Sequence, residues 1–260
     1  MLLRNKVAVV LGASEEGGTG WVVAEALAAE GAQVVVAARR QKPLEALAAK
    51  IGGVAISCDA TMQKDVAALT RTVSERLGPI DLAVNSSFVP MIGSIAELPD
   101  ADLERSIAIN FTAQVRFVRE MAAAMRDGGA ITLFSTFAAV QPVHARFAYG
   151  CAKAATDALV RYAAVEYGAR GIRVNSILPG PIRTAAAAHI YDQPDIQAAF
   201  AKEIPLRRVG TPEDFGRAVI ALALADYVTG VNLPVSGGIH LARTPRPDEV
   251  AAVAGVMKKQ

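Results

Sequence analysis

The chain is expected to fold as one α/β domain, a parallel sheet with helices on both faces. Short β-branched runs alternate with longer Ala-rich segments from end to end. Several runs, such as VAVVL and QVVVA, are apolar on successive residues, as strands covered on both sides are. No Gly/Ser linker, charge block or internal repeat divides the 260 residues, a length that suits one domain and not two catalytic ones.

The strands are placed, in order, at Val7–Leu11, Val34–Ala38, Val54–Cys58, Ile80–Asn85, Ala130–Ser135, Ile172–Leu178 and Val231–Val235, which makes seven. Helices are expected at about 19–30, 42–50, 63–77, 101–126, 149–168 and 212–226. Within 101–126, Leu103, Ile107, Phe111, Val115 and Val118 have the three-and-four spacing of a buried stripe. Thr211-Pro212-Glu213-Asp214 reads as a helix start, with a hydroxyl cap, proline in the first turn and acids at the positive dipole end. Gly168 and Gly171 bracket a helix exit. Residues 183–204 lie in the longest region without a sheet element, and a substrate loop or lid is expected there. The tail, 242–260, reads either as a docking helix or as a mobile end.

Composition excludes several classes of partner. Twenty-seven basic against twenty-five acidic residues give a net charge of +2, with no electrostatic reason to expect nucleic acid or an anionic membrane. No apolar stretch reaches the ~20 residues of a membrane span, and no targeting signal stands out, so a cytoplasmic location is the expectation. Two cysteines, Cys58 and Cys151, are too few for a disulfide scaffold, and Cys151 is expected as buried filler. The three histidines lack zinc-ligand spacing, so no metal is expected.

The first strand runs into Gly12-Ala13-Ser14-Glu15-Glu16-Gly17-Gly18-Thr19-Gly20, and a helix pattern follows at once. Gly12, Gly18 and Gly20 let backbone approach a bulky anion, and the helix N-terminus offers it free N–H groups, as in a Rossmann-type dinucleotide site. Glu15 and Glu16 should face solvent, since inward they would oppose a phosphate. At the end of the second strand, where an acid would select NAD, the sequence is Ala37-Ala38-Arg39-Arg40. Arg39, with Ser14 beside it, suits a 2′-phosphate, so NADP is the expected cofactor. Asp59 reads equally as a partner for the adenine amine or as a simple turn acid.

Tyr149 and Lys153 are four apart in a helical stretch and share a face, where an ammonium can favour a phenolate. Together the glycine loop, Asp59, Asn85, Asn110, Tyr149–Lys153 and Pro179-Gly180 resemble the short-chain dehydrogenase/reductase family over residues 5 to about 240. The resemblance implies hydride transfer between a nicotinamide nucleotide and a carbonyl or alcohol substrate. It implies Tyr149 as general acid/base, Lys153 as its tuner and ribose anchor, and Asn110 as the lysine's support through a water. It places the family's hydroxyl residue at Thr136, with Ser135 pointing the other way, and the nicotinamide segment at Pro179, Gly180, Ile182 and Thr184. A homo-oligomer, commonly a tetramer, packed through the long helices at 101–126 and 149–168 is implied as well.

Four departures mark a divergent member. The glycine loop is two residues wider than the family's Gly-x-x-x-Gly-x-Gly and should bulge. Thr136 stands for serine, Asn85-Ser86-Ser87-Phe88 for Asn-Asn-Ala-Gly, and Ser236 for the aspartate of the terminal Asp-Gly-Gly. The substrate mouth is expected from Phe88, Phe137, His144, Phe147, His189 and Tyr191. The alternative reading is a nucleotide-binding regulatory or structural protein of the same fold that has lost its chemistry.

Overall fold

The computed structural model describes residues 1–253, so the last seven residues of the expected tail lie outside the described residues. The chain runs β1 (Val7–Leu11), α1 (Thr19–Ala29), β2 (Gln33–Ala38), α2 (Gln41–Ile51), β3 (Val54–Ser57), α3 (Gln63–Leu77) and β4 (Ile80–Asn85). It continues through α4 (Asp100–Ile107), a π-helical turn at Ala108–Thr112, α5 (Ala113–Ala124), β5 (Met125–Phe134), α6 (Phe147–Tyr167) and β6 (Ile172–Pro179). The last part comprises α7 (Ala188–Tyr191), α8 (Pro194–Glu203), α9 (Pro212–Leu224), β7 (Asn232–Val235) and α10 (Pro247–Val253).

All seven strands pair in parallel, in the order β3-β2-β1-β4-β5-β6-β7. Neighbouring residues of β1 go to opposite cores, which is why that strand is apolar throughout. Val7, Val9 and Leu11 join Val66 and Leu69 of α3, Phe117 and Met121 of α5 and Val160 of α6. Ala8 and Val10 join Trp21 and Leu27 of α1, Leu44 and Leu47 of α2 and Phe215 and Val219 of α9. The order reverses between β1 and β4, and ligands of open α/β sheets bind at the carboxyl ends of strands at such a switch point.

The expected helix over 101–126 is where the structure departs most. Its π turn shifts the buried face, so Ser106, Asn110, Gln114, Phe117 and Met121 point inward while Ile107 is 42% exposed. Of the expected apolar stripe Val118 is in the core, whereas Leu103, Phe111 and Val115 are half-buried and a partly polar face takes the place expected for them. Met125, placed at the end of that helix by the sequence, instead opens β5. Cys151 is exposed rather than buried, because α6 turns Ala152, Lys153 and Thr156 inward; the buried cysteine is Cys58. In 183–204 the chain forms α7 and α8 over a small core of Phe137, Ile204, Val209 and Ile239. Part of the tail docks as α10, where Arg243 pairs with both Glu203 of α8 and Glu249.

Candidate active site

The ends of β1, β2, β3 and β4 enclose a groove of about 520 Å³ lined by Gly12, Ser14, Arg39, Arg40, Asp59, Ser87 and Phe88, among others. A second groove of the same volume lies by β7, lined by Pro205, Arg208 and Gly238, and none of the expected catalytic side chains reaches it.

The glycines of the first groove are demanded by close approach. Gly12 has φ +97°, and a Cβ on Gly20 would lie 2.4 Å from Ser86 Oγ and 2.5 Å from the Gly12 carbonyl oxygen. Ser86 Oγ donates to the Leu11 carbonyl (3.1 Å), so this departure from the family sequence ties β4 to the glycine loop. The two additional loop residues are taken up in a turn in which Gly18 N–H donates to the Glu15 carbonyl (2.9 Å). Gly17, in the left-handed region, lies against Ala185, where a Cβ would stand 3.2 Å from that side chain. Glu15 and Glu16 are both exposed.

At the β2 end it is Arg40 that holds Ser14, donating from Nε to Oγ (3.2 Å) and from Nη2 to the carbonyl (2.9 Å). Arg39 lies beside Asp59. Burial works to raise the Asp59 carboxyl, but hydrogen bonds from Thr61 and the Arg39 charge outweigh it and hold the group below its ordinary value. Asn85 Oδ1 accepts from Ser87 N–H (3.0 Å) and Oγ (2.6 Å), while its buried Nδ2 has no partner. α1 begins at Gly18 with no side chain capping its first turn. An uncapped helix start, an orphaned amide and two arginines without an acid at the β2 end fit an anionic dinucleotide.

Beyond Phe88 lies the expected proton-transfer group. The Phe88 and Tyr149 rings are 6.3 Å apart, tilted by 52°. Burial pushes the Tyr149 phenol up to about 12, while the neighbouring Thr136 hydroxyl and then Arg146 pull weakly the other way. Ser135 turns away from Tyr149, toward α6. Lys153 is fully buried, and its Nζ donates to the Phe134 carbonyl (2.6 Å). Burial pushes its ammonium down to about 7, against the pull of Asp157. Arg146 is the cation whose charge acts on the Tyr149 phenol.

Asn110 stands in the π turn, and its side chain clamps Val89, accepting from the N–H (3.2 Å) and donating to the carbonyl (3.1 Å). Its own carbonyl accepts from Thr156 Oγ (2.7 Å). It holds the Phe88 segment in place.

Pro179 and Gly180 close β6, where a Cβ on Gly180 would lie 3.0 Å from Ser236. Ile182 bridges to Gly210, and Thr184 Oγ accepts from Ala187 N–H (3.3 Å). Of the expected mouth residues, Phe137 and Tyr191 pack into the small core with Ile204, Val209 and Ile239, Phe88 is 57% exposed, Phe147 is half-buried, and His144 and His189 are exposed. The sequence reading set Ser14 beside Arg39, whereas Arg40 bonds it, and it did not single out the buried Asp157 on α6.

Comparisons with known proteins agree with this geometry. A family model described as enoyl-(acyl carrier protein) reductase matches residues 12–240. Human dehydrogenase/reductase SDR family member 4 is 30% identical, over 91% of this chain and 88% of that protein. The enoyl-[acyl-carrier-protein] reductase [NADH] 2 of Rhizobium meliloti is 31% identical, over 92% and 90%. A short-chain type dehydrogenase/reductase from Mycobacterium ulcerans superposes with a TM-score of 0.90 at 28% identity, covering 99% of this chain and 96% of that one. The chain belongs to the short-chain dehydrogenase/reductase family of oxidoreductases.

Proposed function

We propose that this oxidoreductase uses NADP(H) to interconvert a carbonyl compound and its alcohol, with Tyr149 as the general acid/base. The observation that carries the reading is the Tyr149 phenol, beside Thr136 and standing just past the groove's end at Phe88. The nicotinamide nucleotide supplies the hydride to the carbonyl carbon when it is bound. Gly12, Ser14, Gly18 and Gly20 would receive its pyrophosphate, Asp59 and Asn85 the adenosine side, and Pro179, Gly180, Ile182 and Thr184 the nicotinamide side. Arg39 would take the 2′-phosphate, with Arg40 fixing the Ser14 loop beside it.

Tyr149 Oη gives its proton to the carbonyl oxygen, and Thr136 Oγ donates a hydrogen bond to that oxygen as negative charge grows on it. A phenol near 12 is protonated at neutral pH, the form reduction needs. Oxidation needs the phenolate, which burial disfavours. Lys153 anchors the ribose and supplies positive charge, while Asn110 steadies the Phe88 segment. Phe88, Phe137, Phe147 and Tyr191 give the mouth an apolar wall, with His144 and His189 at its rim, which suits a moderately apolar substrate. The exposed Ile107, Tyr162 and Val165 on α4 and α6 support a homo-oligomer, a tetramer by family resemblance.

Fluorescence titration with NADPH and NADH tests the cofactor, and Arg39→Ala should weaken NADPH alone. Turnover of a carbonyl panel, with a 2-enoyl thioester included, tests the reaction in wild type and Tyr149→Phe. Reduction of the enoyl thioester alone would replace the carbonyl reading, and nucleotide binding without any turnover would favour the non-enzymatic one.

A further inference from the structure

The two residues by which the glycine loop exceeds the family pattern have no part in the proposed reaction. They lengthen the stretch between Gly12 and Gly18, and the added length folds into the turn that Gly18 N–H closes on the Glu15 carbonyl (2.9 Å). The start of that turn is braced, since Arg40 bonds both Ser14 Oγ (3.2 Å) and the Ser14 carbonyl (2.9 Å). Gly17 follows, half-buried between the exposed Glu16 and the buried Gly18.

Gly17 answers to two constraints at once. Its φ of +67° is a conformation that side chains with a Cβ rarely adopt, and a Cβ there would stand 3.2 Å from the Ala185 methyl. Ala185 comes from a distant part of the chain, just beyond the end of β6, and it is fixed from behind. Gly210 N–H donates to the Pro181 carbonyl (3.0 Å) and Arg183 N–H to the Gly210 carbonyl (2.8 Å). Past Arg183, Thr184 Oγ accepts from Ala187 N–H (3.3 Å), and the Ala185 carbonyl accepts from Ala188 N–H (3.3 Å), the first residue of α7. With four residues α7 is too short to hold itself, so whatever fixes Ala185 fixes the start of α7.

We propose that Gly17 is a positioning residue: the widened loop carries it across to Ala185, so that a diphosphate held by the loop also seats Thr184 and α7 for the nicotinamide and the substrate. This rests on the reading of the glycine loop and of Thr184 given above. The contact makes the two sites reciprocal. Order that the loop gains from the phosphates passes to the segment, and a substrate that orders the segment tightens the loop by the same factor.

The test is amide hydrogen exchange over residues 184–191, with and without 2′-phospho-ADP-ribose, which carries the diphosphate and no nicotinamide. In wild type the fragment should slow exchange there about threefold or more. In Ala185→Gly, which removes the methyl that Gly17 meets, the fragment should bind within about threefold of its wild-type affinity and slow exchange by less than half as much. Binding with unchanged exchange in wild type, or equal slowing in Ala185→Gly, would overturn the proposal and leave the nucleotide reading intact. A fragment that does not bind overturns the proposal, and NADPH that does not bind overturns the nucleotide reading as well. Turnover gives a second measurement. Gly17→Ala sets a Cβ against Ala185 and should raise KM for a carbonyl substrate about 10-fold at saturating NADPH, with kcat within about threefold, and adding Ala185→Gly should recover most of that loss. Strain confined to the loop would not be relieved from Ala185, so a double variant no better than Gly17→Ala would also overturn the proposal.

Discussion

The two ends of the site are built on opposite terms. At the groove, polar groups stand open: Arg39, Arg40, Glu15 and Glu16 are exposed, and Asn85 Nδ2 is buried without a partner. At the Tyr149 end, the buried polar groups answer to one another: Lys153 to Phe134, Asn110 to Val89 and Ser106, Thr156 to Asn110. Satisfied networks rigidify, whereas open ones cost little to reshape around a ligand. The contrast divides the labour, with affinity residing in the groove and rate residing in a protein-built pocket.

The largest effect should therefore fall on rate alone. Tyr149→Phe keeps the ring against Phe88 and removes one hydroxyl; carbonyl reduction should fall about 1,000-fold or more while NADPH affinity stays within about threefold. A comparable loss of affinity in the titration would erase the division.

Lys153 sharpens it through pH. Its ammonium titrates near 7 while Tyr149 stays protonated to about 12, so reduction that needs the lysine charge should decline as pH rises through about 7. The folded value lies below the ordinary 10.5, so burial of this charge costs stability below about pH 7, and the cost disappears as pH climbs to the unfolded value. Lys153→Met should abolish most reduction yet raise the melting midpoint at neutral pH by about 2–6 °C. A lowered midpoint would mean the charge is well solvated after all.

Much of this architecture was readable from sequence because burial on two faces leaves a continuous apolar run, as in β1 and β2, and the half-buried edge strands β3 and β7 follow the same alternation with helices. The start of α9 was readable because Thr211 and Pro212 have no better place, with the Asp214 carboxylate accepting from Thr211 N–H (2.9 Å). The buried side of α4 and α5 was not. Its inward positions include Ser106, Asn110 and Gln114, polar residues that an apolar periodicity passes over, and the π turn breaks the period itself. Asp157 was hidden for the same reason, since an acid on a helix reads as a solvated one. Tyr149 and Thr136 were found through spacing against a family pattern, whereas the turn of Lys153 onto Phe134 depends on backbone placement that spacing does not encode.

The groove should answer in affinity. Arg39→Ala is expected to weaken NADPH about 10-fold and leave NADH nearly unchanged, because only the former carries the 2′-phosphate. Arg40→Ala should weaken both nucleotides by a few-fold, since its bonds go to Ser14 of the loop they share. Equal losses of NADPH and NADH in Arg39→Ala would remove the 2′-phosphate assignment and leave the arginine as general electrostatics.

The smallest effect tests how finely the rate half is fitted. Thr136 stands beside Tyr149, and its hydroxyl accepts from the Ala138 N–H (3.2 Å), which fixes its side chain at the turn after β5. Serine at this position would retain both contacts and lose one methyl, gaining rotamer freedom and a little room. Thr136→Ser should change reduction by about threefold or less, with bulkier carbonyls gaining most, while Thr136→Val, which keeps the shape and loses the hydroxyl, should cost about 100-fold. If serine and valine were equally harmful, the methyl's packing and not the hydroxyl would be the contribution, and the proton-transfer pocket would be less self-contained than the contrast with the groove requires.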